Sequence, residues 1–197
     1  MSTSRQPVVC LASASPRRRE LLSQIGVPHT VVGAHIDETA HADESPRDYV
    51  LRMARQKALT VRERGERLPV LAADTTVVLD DVIYGKPRDR ADGIAMLGRL
   101  SARTHGVLTA VAVADARGVD LRLSVSTVRF RGLTPEECAA YWDTGEPHDK
   151  AGGYAVQGAA AVFIESLSGS YSGVMGLPLF ETAELLRLAG VAYWGKG

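Results

Sequence analysis

Short apolar runs alternate with helical patterns in the first part of the chain. Residues Val8–Ala12 are apolar and are followed by a polar turn and by a segment with apolar side chains at helical spacing. Ser15 is a favoured N-cap, Pro16 fits the first helical position, and Gly26 fits the end of a helix. The pattern therefore predicts a strand, a tight turn and a helix.

The alternation continues along the middle of the chain. The next elements are expected in this order: a strand over 29–32, a polar loop over 36–44, a helix from Ser45, a strand over 69–73 that ends in Asp74, a hairpin turning at Asp80–Asp81, a helix over 89–100 and a buried strand over 107–114. Strands that alternate with helices are typical of an α/β fold in which helices flank a sheet.

The last third of the chain carries three further signals. Apolar residues alternate over 121–125 and again, in the opposite phase, over 128–130, which predicts a bulge or a strand end near Ser126 and Thr127. Residues 134–137, Thr-Pro-Glu-Glu, combine a helix cap, a proline at the first position and a glutamate that can close a capping box. We further expect a glycine-rich loop over 145–158, a strand over 160–166 and a closing helix over 178–189.

Three arginines crowd the first turn of the first predicted helix. Arg17, Arg18 and Arg19 lie at the positive end of the helix dipole, where cations are locally unfavourable. A phosphate would supply a reason, because free backbone N–H groups, the dipole and the guanidinium groups would all face it. Arginines are also common on solvated helix faces. The pattern alone leaves both interpretations open, and Arg19 is expected to face solvent.

Composition narrows the function classes. The 197 residues carry 23 basic and 23 acidic side chains, a balance that argues against a nucleic-acid partner. No apolar run is long enough to span a bilayer, and Met1–Gln6 lacks the apolar core of a signal peptide, so no membrane partner is expected. Cys10 and Cys138 are expected to be buried free thiols, which favours a cytoplasmic location. No composition shift marks a linker, and a single domain over 1–197 is expected.

Two acidic positions could carry chemistry. Asp74 follows a buried strand, and the carboxyl end of a strand is where ligand sites lie in many α/β folds. Asp74 could instead cap a turn through Thr75. Glu38 lies on a predicted polar loop and would be solvated if it stood alone. Together, Asp74 and Glu38 could hold a hard divalent cation, since Mg²⁺ takes one or two carboxylates plus substrate phosphate oxygens.

Two lysines and one glutamine are further candidates for ligand contacts. Lys57 shares a helix face with apolar residues, so its ammonium group could extend to solvent or point into a cleft. Lys86 lies in a stiff Gly-Lys-Pro turn, and no P-loop pattern occurs in the sequence. Gln157 belongs to the glycine-rich segment and offers both a donor and an acceptor. His105 has no metal-ligand partner at suitable spacing and is expected to be structural.

Taken together, these motifs resemble the Maf proteins, nucleoside triphosphate pyrophosphatases of the inosine-triphosphatase-like fold. The matching segments are 11–13, 15–18, 37–38, 57–58, 73–75, 86–87, 104–105, 149–158, 169–171 and 176–179. They cover nearly the whole chain in the right order. The resemblance implies a mixed twisted sheet flanked by helices, two lobes around a central cleft, and a homodimer.

The resemblance also implies an activity: hydrolysis of a nucleoside triphosphate to the monophosphate and pyrophosphate with a divalent cation, Mg²⁺ or Mn²⁺. By motif position, Asp74 would be the catalytic proton acceptor, or would bind the metal together with Glu38. The sequence does not separate these two roles. The positions implied to bind substrate are Ser13, Arg17, Arg18, Lys57, Thr75, Lys86 and Gln157.

Residues 75 and 157 indicate a branch of the family. Thr75 and Gln157 look like the branch acting on dTTP and UTP, with CTP as a further candidate, whereas the branch acting on 7-methyl-GTP has an acid in place of the glutamine. An amide can pair with the mixed donor and acceptor edge of a pyrimidine, whereas a carboxylate only accepts. We expect an enzyme that cleans the nucleotide pool. The alternative is a non-catalytic nucleotide-binding regulator of cell division.

Overall fold

The computed structural model describes residues 6–194 and builds them around one mixed sheet. Residues 1–5 and 195–197 lie outside the described part of the chain. The expectation about a signal peptide concerned Met1–Gln6, so it falls mostly on residues outside the described part. The strands are β1 (Val9–Leu11), β2 (His29–Val31), β3 (Val70–Leu79), β4 (Val82–Tyr84), β5 (Thr104–Asp115), β6 (Gly118–Phe130) and β7 (Ile164–Ser168). The helices are α1 (Pro16–Gln24), α2 (Pro46–Glu63), α3 (Arg90–Leu100), α4 (Pro135–Asp143), α5 (Tyr171–Met175) and α6 (Leu179–Leu188).

The sheet runs in the order β2-β1-β3-β5-β6-β7, with β4 paired to β3. Strand β1 is parallel to β2 and to β3, but its pairing with β3 ends at Leu71. Strand β3 then continues, antiparallel to β5, as far as Leu79. The prediction that this strand ends in Asp74 is therefore wrong. The strand continues because β5 supplies hydrogen-bond partners along almost its whole length, while β1 has already ended.

Apolar clusters cover both faces of the sheet. On one face there are two separate clusters, and these form two lobes. Helices α1 and α6 pack against the amino-terminal half of β3, around Leu71 and Leu185. Helices α3 and α4 pack on the same face at the other end of the long strands, around Leu97 and Phe130. Helix α2 covers the opposite face through small residues such as Ala54. The expected mixed sheet with flanking helices is confirmed, and the space between the two lobes forms a cleft.

Strand β6 corrects a second expectation. Its pairing with β5 is unbroken from Gly118 to Arg129, so neither a bulge nor a strand end occurs near Ser126 and Thr127. The register shift lies against β7 at Phe130. The phase change has another cause. Leucines at 121 and 123 pack toward α2, whereas the even-numbered residues from 124 to 130 are buried on the opposite face. Different helices cover the two ends of the strand, so the buried face changes without a change in register.

The shorter elements follow the local sequence closely. Asp80 and Asp81 both have positive φ, as a tight hairpin turn requires, and the Thr134–Glu137 capping box is present. The strand expected over 160–166 is wrong in its first half: Ala159–Phe163 form a 3₁₀ turn, and β7 begins at Ile164. None of the helices within 6–194 is long and apolar enough to cross a membrane.

Two glycines of α3 give a matched test of packing between α3 and α4. A Cβ on Gly93 would lie 2.1 Å from the Trp142 ring, whereas a Cβ on Gly98 would meet nothing within 4 Å. We expect Gly93→Ala to lower the free energy of unfolding by about 1–3 kcal/mol, because overpacking outweighs the helix propensity of alanine. Gly98→Ala should raise it by about 0.5–1 kcal/mol. Urea unfolding of both variants measures the difference, and equal effects at the two positions would contradict the contact.

Candidate functional site

A cavity of about 750 Å³ opens between the two lobes. It lies beside the stretch of β3 that β1 no longer covers, so ligand can reach both faces of this strand at its open edge. Because side chains alternate along a strand, Asp74 points to the α2 face and Thr75 to the other. The structure brings all the predicted site residues to this cavity: Ser13, Arg17, Arg18, Glu38, Lys57, Asp74, Thr75, Lys86 and Gln157.

The turn between β1 and α1 lines the cavity. Ser15 takes the N-cap position and Pro16 the first helical position, as the sequence predicts, but the Ser15 hydroxyl makes no capping bond. Instead, Ser13 Oγ accepts a hydrogen bond from the Ser15 backbone N–H at 3.2 Å. The amino end of α1 therefore lies open toward the cavity, and Arg19 is exposed as expected.

Arg18 ties three segments of the cavity wall together. Its Nε donates to the Gly176 carbonyl at 2.7 Å, and its terminal nitrogens lie 3.2 Å from Ser13 Oγ and 3.3 Å from Thr75 Oγ1. Burial lowers the pKa of Arg18, although the nearby Asp74 carboxylate acts in the opposite direction. Most of its donor capacity already has partners within the protein, so the guanidinium group is both a source of positive charge and a structural link.

Arg17 is less constrained. Its side chain lies at the cavity mouth, and one terminal nitrogen is 3.3 Å from the carboxylate of the exposed Asp149. Lys150 also contacts Asp149, at 2.7 Å. Exposed ion pairs of this kind contribute little to stability, so a phosphate group could replace Asp149 as the partner of Arg17 at small cost.

Asp74, Lys57 and Glu38 form an ion triad in the cavity wall. Lys57 Nζ lies 2.7 Å from Asp74 Oδ1 and 2.7 Å from Glu38 Oε1. The Lys57 side chain is only 12% exposed, so it points into the cleft rather than to solvent. Burial raises the pKa of Asp74 above its ordinary value, although Lys57 and Arg18 oppose this effect. Burial also acts to raise the pKa of Glu38, but the hydrogen bond from Lys57 and the positive charges of Lys57, Lys86 and Arg18 together outweigh it, and the pKa falls.

The donor set of this triad suits a hard divalent cation that is also bound by substrate. Within residues 6–194, no group of three or more histidine, cysteine, aspartate or glutamate side chains gathers at one point. The carboxylates of Glu38 and Asp74 nevertheless both contact the ammonium group of Lys57, so two carboxylates in this cavity can bind one cation. Mg²⁺ commonly uses one or two carboxylates and completes its shell with water and phosphate oxygens. These residues fit such an ion.

The loop that carries Glu38 is held in place by α2. Tyr49 donates its hydroxyl hydrogen to the Glu38 carbonyl at 2.9 Å, and Arg52 donates to the Thr39 carbonyl at 3.1 Å. Arg64 bonds the carbonyl of Ala34 at 2.7 Å. Helix α2 therefore supplies Lys57 and also fixes the backbone on which the second carboxylate is carried.

The glycine-rich segment forms another part of the cavity wall. Gln157 is exposed, in a turn closed by a hydrogen bond from the Gly158 N–H to the Ala155 carbonyl. Near this segment, His105 is 2% exposed, with Nε2 2.8 Å from the Tyr154 hydroxyl. Burial lowers the pKa of His105 to about 4, so it is neutral at physiological pH. Its predicted structural role agrees with this packing.

Other residues of the cavity are absent from the predicted set. Asp149 and Lys150 line the mouth, and Tyr49 lines the wall beside Glu38. The sequence included Asp149 and Lys150 only as members of the glycine-rich loop that was expected to line a ligand, without a role of their own. The Gly176 carbonyl, which accepts from Arg18, is a backbone group. No side-chain pattern in the sequence could have identified it.

Comparison with known proteins places the chain in a family. The model of the family described as Maf-like protein matches residues 8–189. A dTTP/UTP pyrophosphatase of Alkalilimnicola ehrlichii is 56% identical over 192 residues, which cover 94% of this chain and 95% of the relative. A dTTP/UTP pyrophosphatase of Burkholderia thailandensis is 53% identical over 200 residues, 95% of each chain.

Among solved structures, a nucleoside-triphosphatase, or dITP/XTP pyrophosphatase, of Mycobacterium abscessus aligns with a TM-score of 0.41 at 16% identity. The alignment covers 70% of this chain and 94% of that one. The family model and the sequence relatives span almost all of the chain, including every strand and helix that lines the cavity. The protein therefore belongs to the family of Maf-like proteins.

Proposed function

We propose that this protein hydrolyses dTTP and UTP, with CTP as a further candidate, to the nucleoside monophosphate and pyrophosphate. One observation carries the proposal: a buried carboxylate, Asp74, lines a single cavity together with several cationic side chains and the exposed amide of Gln157. The names of the relatives at 53–56% identity support the same activity. A purely regulatory nucleotide-binding role would not need the buried carboxylate and is not favoured.

The cations provide the electrostatic part of the reaction. Phosphoanhydride hydrolysis needs mainly charge neutralisation and positioning from a protein. We assign the triphosphate to the end of the cavity formed by the Ser13 turn, where Arg17 can exchange Asp149 for a phosphate oxygen. Lys57 and Lys86 face the same space. The open N–H groups at the start of α1 add a favourable dipole for the anion.

Asp74 carries out the proton transfer in this proposal. Its carboxylate accepts a proton from water as the water oxygen attacks the α-phosphorus. The bond from that phosphorus to the oxygen bridging to the β-phosphorus breaks, and pyrophosphate leaves with the electron pair. Because burial raises the pKa of Asp74, its carboxylate is a stronger base than an exposed aspartate would be.

Glu38 and Asp74 are the residues that would hold Mg²⁺ or Mn²⁺. Such an ion, when bound, neutralises charge on the phosphate oxygens and lowers the pKa of water. Lys57 contacts Asp74 through Oδ1 and Glu38 through Oε1, so the second oxygen of each carboxylate would be available to such an ion. The ammonium group of Lys57 lines the same cavity and would attract a phosphate oxygen.

Product analysis tests the cleavage position. Wild-type protein incubated with dTTP and Mg²⁺ should release dTMP and pyrophosphate in equal amounts, because attack at the α-phosphorus leaves the β- and γ-phosphates joined. Anion-exchange chromatography with a pyrophosphate assay measures both products. Release of dTDP and orthophosphate would contradict the proposed attack, and faster turnover of 7-methyl-GTP than of dTTP would contradict the assigned specificity.

Substitution of Gln157 tests the assignment of the base. Gln157→Glu should lower kcat/KM for dTTP and UTP by about 10–100-fold, because a carboxylate cannot donate to the carbonyl oxygens of the pyrimidine and leaves them unpaired. The exposed Gln24 at the end of α1 provides the matched control, since Gln24→Glu makes the same change of charge outside the cavity. Equal kinetics for the two variants would remove Gln157 from base recognition.

The remaining expectations concern location and assembly. Cys10 and Cys138 are buried free thiols. This supports a cytoplasmic location, because thiols stay reduced there. The proposed partners are the nucleotide substrate and a second copy of the chain. The homodimer rests on the family resemblance alone, and light scattering coupled to size exclusion measures it.

A further inference from the structure

The turn that carries Gln157 is held from both sides by a polar network outside the cavity. On one side, the Tyr141 hydroxyl accepts a hydrogen bond from the Ala155 backbone N–H at 3.1 Å. On the other, Glu146 Oε2 accepts from the Ala159 backbone N–H at 3.0 Å. Each clamped N–H group lies two residues from Gln157. The turn therefore has a fixed point on each side of the exposed amide.

The two clamping side chains are joined to each other. Tyr141 donates its hydroxyl hydrogen to Glu146 Oε1 at 2.6 Å, so one network controls both ends of the turn. Burial, and then the bond to Glu146, raise the pKa of Tyr141, so the hydroxyl keeps its proton. Burial acts to raise the pKa of Glu146, but hydrogen bonds from Tyr141 and from the backbone outweigh this, and the net shift is downward. The network thus combines a neutral phenol with a carboxylate.

The backbone is shaped to admit the carboxylate. A Cβ on Gly158 would lie 2.2 Å from Glu146 Oε2, so any larger residue would push the glutamate away. Neither Tyr141 nor Glu146 lines the cavity, and neither has a role in the proposed reaction. A connected and partly buried hydrogen-bonded network of this kind restricts the segment that it binds.

We propose that Glu146 and Tyr141 are positioning residues that set base specificity by clamping the turn that presents Gln157. The inference rests on the proposed function, because it takes a pyrimidine base as the partner of the Gln157 amide. A side chain on an exposed turn loses orientational freedom when it meets its ligand. By fixing the backbone on both sides beforehand, the clamp lowers that cost for the base that matches the amide.

Steady-state kinetics of Glu146→Gln and Tyr141→Phe test the proposal with dTTP and dGTP. In Glu146→Gln, an amide replaces one acceptor oxygen, and in Tyr141→Phe the bond to the Ala155 N–H is lost. For both, we expect KM for dTTP to rise about tenfold with kcat changed less than about threefold, as loss of binding without loss of chemistry predicts. The preference for dTTP over dGTP should fall about tenfold.

The controls are Glu63→Gln and Tyr193→Phe, which make the same chemical changes away from the network. Unchanged KM and unchanged preference in a folded Glu146→Gln protein would overturn the proposal. So would an equal fall of kcat for both nucleotides with KM unchanged, since that pattern describes a general structural defect.

Two further measurements separate the clamp from simple loss of folding. In a Gln157→Ala background, Glu146→Gln should alter the preference less than about twofold, because coupled residues are not additive. If Glu146→Gln changed the preference for dTTP over dGTP as much in the Gln157→Ala background as in the wild-type background, the inference would be overturned.

Hydrogen exchange of the wild-type protein tests the clamp without turnover. The amides of Ala155 and Ala159 should be protected, and exchange at the rate of free peptide would overturn the clamp. If the wild-type protein turns over neither dTTP nor UTP, the proposed function fails, and the exchange data still decide whether the clamp exists.

Discussion

Replacing Asp74 by asparagine should abolish most turnover while leaving the protein folded. Loss of the proton acceptor lowers kcat by about 10²–10⁴-fold. A thermal unfolding curve without nucleotide should show a Tm equal to or above that of the wild type. Asp74 is 7% exposed and burial raises its pKa, so the ionised carboxylate costs stability at neutral pH. Asparagine has the same shape and removes that cost.

The sign of this stability effect follows from proton linkage. A carboxyl group with a raised pKa in the folded state binds its proton more tightly there than in the unfolded chain. Its ionisation therefore lowers the free energy of unfolding progressively as pH rises from the unfolded pKa through the folded pKa. Asp120→Asn, at an exposed position on β6, is the matched control. Full turnover by Asp74→Asn would exclude Asp74 from the chemistry, and a large fall in its Tm would assign it a structural role.

Arg18→Ala should weaken both the fold and the activity. The substitution leaves the Gly176 carbonyl and the hydroxyls of Ser13 and Thr75 without their common donor. We expect the free energy of unfolding to fall by about 1–3 kcal/mol, equivalent to about 3–10 °C in Tm. Displacement of the cavity wall should also lower kcat/KM about 100-fold.

Two neighbouring substitutions make this prediction specific. Arg19→Ala changes an exposed arginine one position further along α1 and should alter stability by less than about 0.5 kcal/mol. Arg18→Lys keeps the charge but cannot form the forked set of bonds, so its stability should lie between those of wild type and Arg18→Ala. Equal Tm values for Arg18→Ala and Arg19→Ala would show that the three hydrogen bonds contribute nothing.

The sequence predicted which residues meet in the cavity better than it predicted how they meet. Motif order brought Lys57, Glu38 and Asp74 into one hypothesis, and the structure places them in one triad. Helical spacing alone could not decide whether Lys57 reaches solvent or a cleft, because both leave it on the same helix face. Only the position of β3 beneath α2 determines the direction.

The errors in the fold have a common physical origin. The end of a strand depends on its neighbours, so β3 passes through Asp74 because β5 lies beside it, a partner distant in sequence. The face of a strand that becomes buried depends on which helix covers it, so the phase change in β6 imitates a bulge. Helix α5, only five residues long, has too few positions to give a periodic signal. Caps and tight turns are local, so the helix starts at Ser15 and Thr134 and the hairpin turn at Asp80–Asp81 are predicted at the right positions, although the Ser15 hydroxyl makes no capping bond.

The parallel pairing of β1 with β3 also bears on the order in which the protein folds. Strands β5 and β6 are joined by a two-residue turn and can pair as soon as both have been synthesised. The contact of Cys10 with Val70 instead closes a long loop that contains the whole of α2. Because distant contacts form more slowly than local ones, the hairpin should form early and the β1–β3 contact late. The cavity depends on that late contact, so chains stopped at an intermediate stage of folding should be unable to bind nucleotide.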